Sequence, residues 1–285
     1  MKIDWEQADR LIELALAEDV GEGDITTGWT VSEKATACAD LVAKEAGVIA
    51  GTEVAGRVFR HVDTRITFEV ERLDGTDVSP GDRVGVVAGP ARGILTAERT
   101  VLNFLKRMSG IATMTSHFVK AVTGTKAAIL DTRKTLPGHR TLDKYSVTVG
   151  GGKNHRIGLY DMVLLKENHI EAADGIGPAI HAVKQAMAQS GRKVKIEVEV
   201  ETLRQLDDAL ASGVDYVLLD NMAPETMREA AALVSNMGNG RPMLEASGNV
   251  TLETVREVAD SGVDLVSVGA LTHSVKALDL SLLFR

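Results

Sequence analysis

Short apolar runs alternate with helix-patterned stretches over the second half of the chain, and this alternation limits the fold more than any other feature. Six runs are predicted to be strands, at 127–131, 162–166, 194–200, 215–220, 243–247 and 264–269. Amphipathic stretches among them are predicted to be helices, near 139–149, 174–190, 202–212, 224–237 and 251–261. Because strands that alternate with helices pair in parallel, this part of the chain is predicted to be an α/β fold.

Each predicted strand ends in a charged, polar or small residue. These residues are Asp131, Lys166, Glu199 or Glu201, Asp220, the segment 245–248 and Gly269. Ligands bind at the carboxyl ends of strands both in β/α barrels and in doubly wound sheets, so the pattern predicts a site there without choosing between the folds. The repeat runs only from 127 to 269. A full eight-unit barrel takes ~250 residues, so we expect an incomplete or smaller barrel.

The first part of the chain has a different pattern. Helical spacing of apolar residues predicts a helix over 5–18, followed by a polar loop, and a second helix near 52–61. Strand-like stretches at about 34–50 and 64–90 predict an α+β domain with an antiparallel sheet. Residues 95–123 are predicted to form two helices, broken near Ser109 and Gly110.

A cationic segment follows the first predicted strand, although the chain has a net charge of −8. Its basic residues are Arg133, Lys134, His139, Arg140, Lys144, Lys153, His155 and Arg156, and three glycines occupy 150–152. A charge run is commonly a solvated face, but these residues are interleaved with glycine and follow no helix face. Like charges repel unless an anion lies among them, and glycine lets the backbone approach a ligand. The segment therefore predicts a site for a small, multiply anionic ligand.

Composition excludes several other classes of protein. The pI near 5.4 argues against non-specific nucleic-acid binding, and an aromatic content of 4% argues against base-stacking platforms. Cys38 is the only cysteine, so neither an internal disulfide nor a cysteine-based metal site can form. The first residues lack the basic and apolar pattern of a signal peptide, and no apolar run reaches the ~20 residues of a membrane helix. We expect a cytoplasmic protein that binds neither nucleic acid nor membrane.

Three glutamates alternate with valines in IEVEVE (196–201), which covers the end of the third predicted strand. Glu197, Glu199 and Glu201 share one strand face, which is either a solvated face or a barrel interior where carboxylates need cations or donors. Lys166 is the expected counter-charge, and a lysine at a strand end is also a candidate for Schiff-base chemistry. Asp220 with Asn221 is a candidate ligand for magnesium or a hydroxyl group.

Two glycine turns follow the last two predicted strands. Ser247, Gly248 and Asn249 precede a helix predicted to start near Thr251, and Gly269 follows the final strand. Barrels often bind phosphate with the loops after their last two strands, so the pair of turns predicts a phosphate site. His155 and His169 are candidates for acid–base chemistry, although single histidines are more often structural. The P-loop and dinucleotide-binding fingerprints are both absent.

With these residues in view, the chain resembles the quinolinate phosphoribosyltransferases, the decarboxylating nicotinate-nucleotide pyrophosphorylases of NAD synthesis. The resemblance covers nearly the whole chain. Its most specific segments are AERTVLNFLKRMSGIAT (97–113), DTRKTLPGHR (131–140), GGGKNHRIGLYD (150–161), LLKENHI (164–170), EVEVET (197–202), LLDNM (218–222), LEASGN (244–249) and SVGALTHS (267–274). Asn249 is a departure, because glycine or another small residue is expected there.

The resemblance implies an α/β chain with two domains. An N-terminal α/β sandwich over 1–110, completed by 275–285, is expected to precede an open, incomplete α/β barrel of the type II phosphoribosyltransferase kind over 111–274. It also implies a homodimer, with higher assembly open, in which the active site is shared across the interface.

The resemblance also implies roles for individual residues. The catalytic residues would be Lys134, Lys166, Glu199 and Asp220. Glu199 and Asp220 would also hold Mg²⁺ and the ribose hydroxyls of phosphoribosyl pyrophosphate. Quinolinate would be bound by Arg133, His155, Arg156 and Lys166, and Arg99 would reach the partner's site. The 5-phosphate would be bound by Ser247, Gly248, Gly269, Ala270 and His273.

The expected reaction forms nicotinate mononucleotide, pyrophosphate and CO2. Arginine pairs with carboxylates in a bidentate manner, which suits a dianionic acid. Two alternatives remain at this point: transfer of phosphoribose to another heteroaromatic acid, and a non-catalytic protein that binds phosphoribosyl pyrophosphate.

Overall fold

The computed structural model describes all 285 residues, which form two compact units. Unit 1 comprises 1–116, 134–152 and 271–285, and unit 2 comprises 117–133 and 153–270. The chain therefore passes between the units several times. The domain boundaries expected from the sequence stay predictions.

Unit 1 contains an antiparallel sheet with helices against it. Its elements up to residue 90 are α1 (Trp5–Val20), α2 (Ile25–Thr30), β1 (Thr36–Ala43), β2 (Gly47–Val48), α3 (Thr52–Val62), β3 (Thr67–Val70), β4 (Asp77–Val78) and β5 (Arg83–Pro90). The later ones are α4 (Ala91–Ala121), which ends in unit 2, then α5 (Arg140–Val149), α11 (Ala270–His273), whose first residue belongs to unit 2, and β12 (Leu280–Phe284). The predicted helices near residues 5 and 52 and the antiparallel strands are confirmed, but the predicted polar loop after α1 contains the short helix α2.

The four-stranded sheet of unit 1 has the order β12-β1-β5-β3, and β2 pairs separately with β4. The final strand of the chain lies at one edge, with Leu282 opposite Leu41 of β1. Buried side chains of α1 and α3, including Ile12 and Phe59, join Leu41 in one core. Burial of such side chains removes apolar surface from water and supplies most of the stabilisation of this unit.

Helix α4 is one continuous helix of 31 residues, so the predicted break at Ser109 and Gly110 is wrong. Ser109 Oγ bonds with both the backbone N and O of Ala50, at 3.0 and 3.2 Å. A Cβ on Gly110 would lie 2.2 Å from the carbonyl oxygen of Lys276. Ser109 and Gly110 therefore let the backbone at Ala50 and Lys276 pack closely against an unbroken helix. In the sequence, a serine followed by a glycine resembles a helix end, which explains the wrong prediction.

Unit 2 is built from a parallel sheet and the helices between its strands. Its elements are β6 (Ala128–Leu130), β7 (Met162–Leu165), α6 (Glu167–Ala172), α7 (Ile176–Ser190), β8 (Lys195–Val200), α8 (Leu203–Ser212), β9 (Tyr216–Asp220), α9 (Pro224–Ser235), β10 (Met243–Ser247), α10 (Val255–Asp260) and β11 (Leu265–Ser267). All six predicted strands are confirmed. The helix expected from Thr251 begins only at Val255, so the loop after β10 does not lead directly into a helix.

Strand order decides between the two folds that the sequence left open. The sheet reads β6-β11-β10-β9-β8-β7, so consecutive strands are neighbours from β7 to β11 and the first strand pairs with the last. This is the order of a barrel, whereas a doubly wound sheet reverses direction at a switch point. β6 and β7 lie at the two edges and do not pair. The predicted α/β chain with a sheet domain and an open, incomplete barrel is confirmed.

The opening between β6 and β7 has a local cause. After β6 the chain leaves unit 2, forms α5 within unit 1, and returns at residue 153. Lys153 then makes a parallel bridge with Leu130, donating its N–H to Ile129 at 2.8 Å. The returning segment thus occupies part of the free edge of β6. None of the helices combines the length and apolar character that crossing a bilayer requires.

Candidate functional site

The parallel register places the polar strand ends of unit 2 at one edge of its sheet. Asp220 is paired with Ser247, and Glu199 with Leu218, two residues before Asp220. Directly paired residues and residues two apart share a face of the sheet. Glu199, Asp220 and Ser247 therefore project from the same face near the carboxyl ends of β8, β9 and β10. The structure therefore brings these three predicted residues to one edge of the sheet, and their roles stay predictions.

Asp131 follows β6 directly, at the start of the cationic segment, and is fully buried. Its carboxylate accepts the side-chain N–H of Asn154 at 2.6 Å and the backbone N–H of His155 at 2.9 Å. Charge-assisted hydrogen bonds of this kind are stronger than neutral ones. Asp131 thus fixes the backbone on which His155 and Arg156 are presented.

His155 lies over a pair of buried glutamates. Its Nε2 atom is 2.9 Å from Glu197 Oε2 and 3.5 Å from Glu245 Oε2, and Ser267 Oγ bonds with the Glu245 carboxyl group. Nδ1 accepts the backbone N–H of Arg156 at 2.7 Å, so Nε2 carries the proton in the neutral ring. Both ring nitrogens are used within the protein, and the expected contact of His155 with substrate stays a prediction.

Burial changes the proton affinity of both glutamates. Removal from water raises the pKa of Glu197 to about 7, and the nearby Arg156 and Lys166 partly offset this. Burial, and next the charge of Glu197, raise the pKa of Glu245 to about 8. Two carboxylates at this distance cannot both ionise cheaply in a low dielectric, so the pair holds a proton near neutral pH.

Two guanidinium groups lie close enough to interact at the rim of this cluster. Burial lowers the pKa of Arg156, and the next cause is the positive charge of Arg133. Glu197 and Asp161 act in the opposite direction. Arg156 also donates to the carbonyl oxygen of Met162 at 3.2 Å, which fixes its side chain. Two arginines whose charges interact suit an anion with two negative groups.

Lys166 forms an ion pair with Glu199, as expected from the sequence. The lysine is 48% exposed whereas the glutamate side chain is 16% exposed, so the pair lies at the surface of the strand-end edge. His169, the other candidate for acid–base chemistry, accepts the backbone N–H of Lys166 on Nδ1 at 3.1 Å. That bond satisfies a free donor at the start of α6, which is a structural role.

The loops after β9 and β10 meet at Asn221 and Gly248. Asn221 donates from Nδ2 to Asp220 Oδ2 at 2.9 Å, and its backbone N–H donates to Ser247 O at 2.9 Å. Gly248 has φ +110°, and a Cβ there would lie 2.1 Å from Asn221 Oδ1. Asn249 has φ +47°, in the left-handed region that glycine prefers and that asparagine tolerates. The departure at Asn249 is therefore compatible with the backbone conformation of this loop.

The remaining predicted residues are divided between the units. Gly269 and Ala270 follow β11 in unit 2. Arg99 and Lys134 are exposed residues of unit 1. His273, also in unit 1, lies with Nδ1 2.6 Å from Ser274 Oγ. The roles of these five residues stay predictions.

The acids of unit 2 offer two candidate places for a cation. Glu199 and Asp220 provide carboxylate oxygens, which are the ligands that Mg²⁺ prefers, and one Asp220 oxygen is held by a neutral amide. The donor chemistry therefore fits magnesium. His155, Glu197 and Glu245 also have ligand atoms within 4.8 Å of one another. Their hydrogen bonds to each other and to Ser267 already account for their closeness.

Sequence reasoning missed the structural part of this site. Asp131 and Glu245 were predicted only as strand-end residues, and Asn154 and Ser267 had no predicted role. These four residues hold His155 and the segment around it. An acid inside an apolar strand, as in MLEAS, is the signal that identifies Glu245, because such a residue is expensive to bury without a partner. Asn154 and Ser267 have no comparable signal in the sequence.

Comparison with known proteins agrees with the fold and with the family resemblance seen in the sequence. Residues 24–109 match the family model for the N-terminal domain of quinolinate phosphoribosyl transferase, and residues 111–283 match the model for its C-terminal domain. The nicotinate-nucleotide pyrophosphorylase (carboxylating), chloroplastic, of Arabidopsis thaliana is 46% identical over 95% of this chain and 81% of its own length. The probable nicotinate-nucleotide pyrophosphorylase (carboxylating) of Bacillus subtilis (strain 168) is 41% identical over 97% of this chain and 93% of its own length.

A solved structure agrees over nearly the whole chain. The crystal structure of NadC from Streptococcus pyogenes superimposes with a TM-score of 0.92 at 40% sequence identity, covering 99% of this chain and 97% of that one. Both family models together span more than half of the chain, and the relatives extend over almost all of it. The chain therefore belongs to the quinolinate phosphoribosyltransferase family.

Proposed function

We propose that this protein is a quinolinate phosphoribosyltransferase (decarboxylating), a pentosyltransferase of NAD biosynthesis. It transfers phosphoribose from phosphoribosyl pyrophosphate to quinolinate and releases pyrophosphate and CO2, leaving nicotinate mononucleotide. The observation that carries this proposal is the pair Arg133 and Arg156, whose charges interact at a strand-end edge that also holds Lys166, Glu199 and Asp220. Family membership supports the same activity.

The residues suit each part of this chemistry. Arg133, Arg156 and Lys166 supply positive charge for the two carboxylates of quinolinate, and Arg156 is held in place by Met162 and His155. Transfer of a ribosyl group passes through an oxocarbenium-like state, as in glycoside hydrolysis. Glu199 and Asp220 supply negative charge beside that state. The ribosylated ring nitrogen then carries a positive charge, which stabilises the electron pair left on the neighbouring ring carbon when its carboxylate leaves as CO2. A proton from water then replaces the carboxylate on that carbon.

Glu199 and Asp220 are also the residues that would hold Mg²⁺. When bound, the ion would neutralise the pyrophosphate group and assist its departure. We propose that Ser247, Gly248, Gly269, Ala270 and His273 bind the 5-phosphate and that Lys134 lies near the reacting groups. Gly248 supports this, because glycine can adopt its φ of +110° and presents backbone groups without a side chain of its own.

A homodimer with a shared site is the expected assembly, with Arg99 reaching the site of the partner. Mixing inactive Arg99→Ala subunits with inactive Lys166→Ala subunits tests it, because a shared site regains one intact copy in the heterodimer. Recovered activity supports the shared site. No recovery in demonstrated heterodimers would contradict it. A cytoplasmic location stays a prediction from the sequence.

The experiment that tests the activity is incubation with quinolinate, phosphoribosyl pyrophosphate and Mg²⁺, with CO2 and nicotinate mononucleotide followed together. Equal formation of the two products is expected. Turnover of nicotinate in place of quinolinate would replace the proposed acceptor. Binding of phosphoribosyl pyrophosphate without any product would show a non-catalytic protein. Arg133→Ala should remove most activity while the protein stays folded.

A further inference from the structure

Asn221 is the residue at which the loops after β9 and β10 meet, and its backbone conformation is unusual. Its φ is +51°, a left-handed value that a non-glycine residue adopts at some cost. Gly248, with φ +110°, and Asn249, with φ +47°, are also left-handed. Three such residues in two facing loops are kept only where surrounding contacts hold them, and they concentrate at functional sites.

The side chain of Asn221 contacts both loops. Because a carboxylate only accepts hydrogen bonds, the atom 2.9 Å from Asp220 Oδ2 must be the amide nitrogen. The amide oxygen is thereby directed toward the other loop. There it approaches Gly248 so closely that a Cβ would lie 2.1 Å from it, and Asn249 Nδ2 donates to it at 3.5 Å.

The backbone of Asn221 completes the connection. Its N–H donates to the carbonyl oxygen of Ser247 at 2.9 Å, one residue before Gly248. The carboxylate of Asp220 and the backbone of Gly248 are consequently held by the same residue.

We infer that Asn221 is a positioning residue that sets the Asp220 carboxylate and the Gly248 backbone relative to each other. The inference rests on the proposed function, in which Asp220 faces the ribose hydroxyls and Gly248 faces the 5-phosphate of one substrate. A rigid distance between those two groups selects a ribose 5-phosphate unit over other phosphates. Asn221 thus determines affinity for phosphoribosyl pyrophosphate and has no direct part in binding quinolinate.

Asn221→Asp is the most informative variant. It keeps the size of the side chain and the tolerance for left-handed φ, but it places a carboxylate against Asp220 where a donor was. Asn221→Gly keeps the backbone conformation and removes both side-chain contacts. Asn236→Asp, at the exposed end of α9, is the control for an added negative charge.

The measurements are titration calorimetry with phosphoribosyl pyrophosphate and Mg²⁺, titration with quinolinate, KM and kcat, and the melting temperature. Asn221→Asp should weaken binding of phosphoribosyl pyrophosphate at least tenfold, and Asn221→Gly less. Quinolinate affinity and the melting temperature should stay near those of the wild type, as should all values for the control Asn236→Asp.

Unchanged affinity for phosphoribosyl pyrophosphate in Asn221→Asp would overturn the inference, as would an equal loss of quinolinate binding. Failure of the proposed function would look different. A wild-type protein that binds phosphoribosyl pyrophosphate but forms no nicotinate mononucleotide would refute the activity, while the affinities of the variants would still decide the role of Asn221.

Discussion

His155 Nε2 lies 2.9 Å from Glu197 Oε2, and the two side chains are 8% and 0% exposed. Glu245 adds a second buried carboxyl group beside them. Through the bond from Arg156 N–H to His155 Nδ1, this cluster supports the residue that we propose to bind a substrate carboxylate. The buried glutamates are therefore linked through the His155 ring to the backbone of Arg156, which belongs to the cationic segment.

The buried glutamates predict a fall in stability as pH rises. The pKa values in the folded protein, about 7 for Glu197 and about 8 for Glu245, lie above the 4.5 of an unperturbed glutamate. Between pH 4.5 and about pH 8 the folded protein binds more protons than the unfolded chain. The free energy of unfolding is therefore greatest toward pH 4.5 and decreases as the pH rises through 7–8. Glu245→Gln stays neutral and should reduce the loss between pH 6 and pH 9 by about 1 kcal/mol or more.

Urea unfolding at pH 6 and pH 9 measures this difference. Glu229→Gln, on the exposed side of α9, is the matched control and should leave the pH dependence as in the wild type. If Glu245→Gln and the wild type lose the same stability over this range, the assignment of a raised pKa to Glu245 is wrong.

The ion pair of Lys166 and Glu199 predicts a loss of activity without a loss of fold. Lys166→Met removes the charge but keeps much of the side-chain length, and kcat should fall by roughly a hundredfold if the lysine stabilises developing charge. Lys195→Met is the control, because Lys195 pairs with Asp215 at 2.5 Å and lies at the other end of β8. Steady-state kinetics and circular dichroism of both variants check the prediction, and equal activities would contradict it.

The ion pair of Arg107 and Asp143 predicts a structural effect in unit 1. Arg107 donates to the two Asp143 oxygens at 2.9 and 2.7 Å and to Thr272 O at 3.1 Å, and Asp143 is fully buried. Removal of one partner leaves a buried charge without its main counter-ion, which costs about 3–5 kcal/mol. Arg107→Met should therefore lower the free energy of unfolding by about 3 kcal/mol or more.

An exposed pair provides the comparison for Arg107. Arg65 is 72% exposed and pairs with Asp63 at 2.7 Å. Arg65→Met should cost much less than Arg107→Met, because water screens an exposed pair. Urea unfolding of the two variants under one set of conditions gives the difference. Similar losses in both would show that Asp143 is stabilised mainly by other groups.

Close packing at Gly110 predicts opposite effects of alanine at two helical glycines. A Cβ at Gly110 would lie 2.2 Å from Lys276 O, a backbone atom that cannot rotate away. A Cβ at Gly28, in α2, would meet nothing within 4 Å. Gly110→Ala should lower the melting temperature by several degrees, whereas Gly28→Ala should leave it unchanged or raise it slightly, since alanine favours a helix by about 1 kcal/mol. Differential scanning calorimetry measures both, and a neutral Gly110→Ala would show that the segment at Lys276 shifts freely.

The sequence by itself determined the kinds of element and the direction of their pairing. Alternating apolar runs and amphipathic stretches predicted all six parallel strands, because periodicity is a local property that burial imposes directly. It also identified the counter-charge of Glu199, since Lys166 and Glu199 occupy the ends of neighbouring parallel strands. Local propensity was less informative at Gly110. The glycine there allows contact with the distant backbone of Lys276 and does not end the helix.

Only the tertiary structure decided which strands are neighbours and what lies beneath the site. Pairing of β6 with β11, which makes the sheet an open barrel, joins strands far apart in the chain. Closeness of His155, Glu197 and Glu245 likewise depends on three separate segments meeting. A sequence read locally shows the cost of burying each acid, but only the folded chain shows which groups offset that cost. For the same reason, the contact of Asn221 with Gly248 could not be predicted from either loop alone.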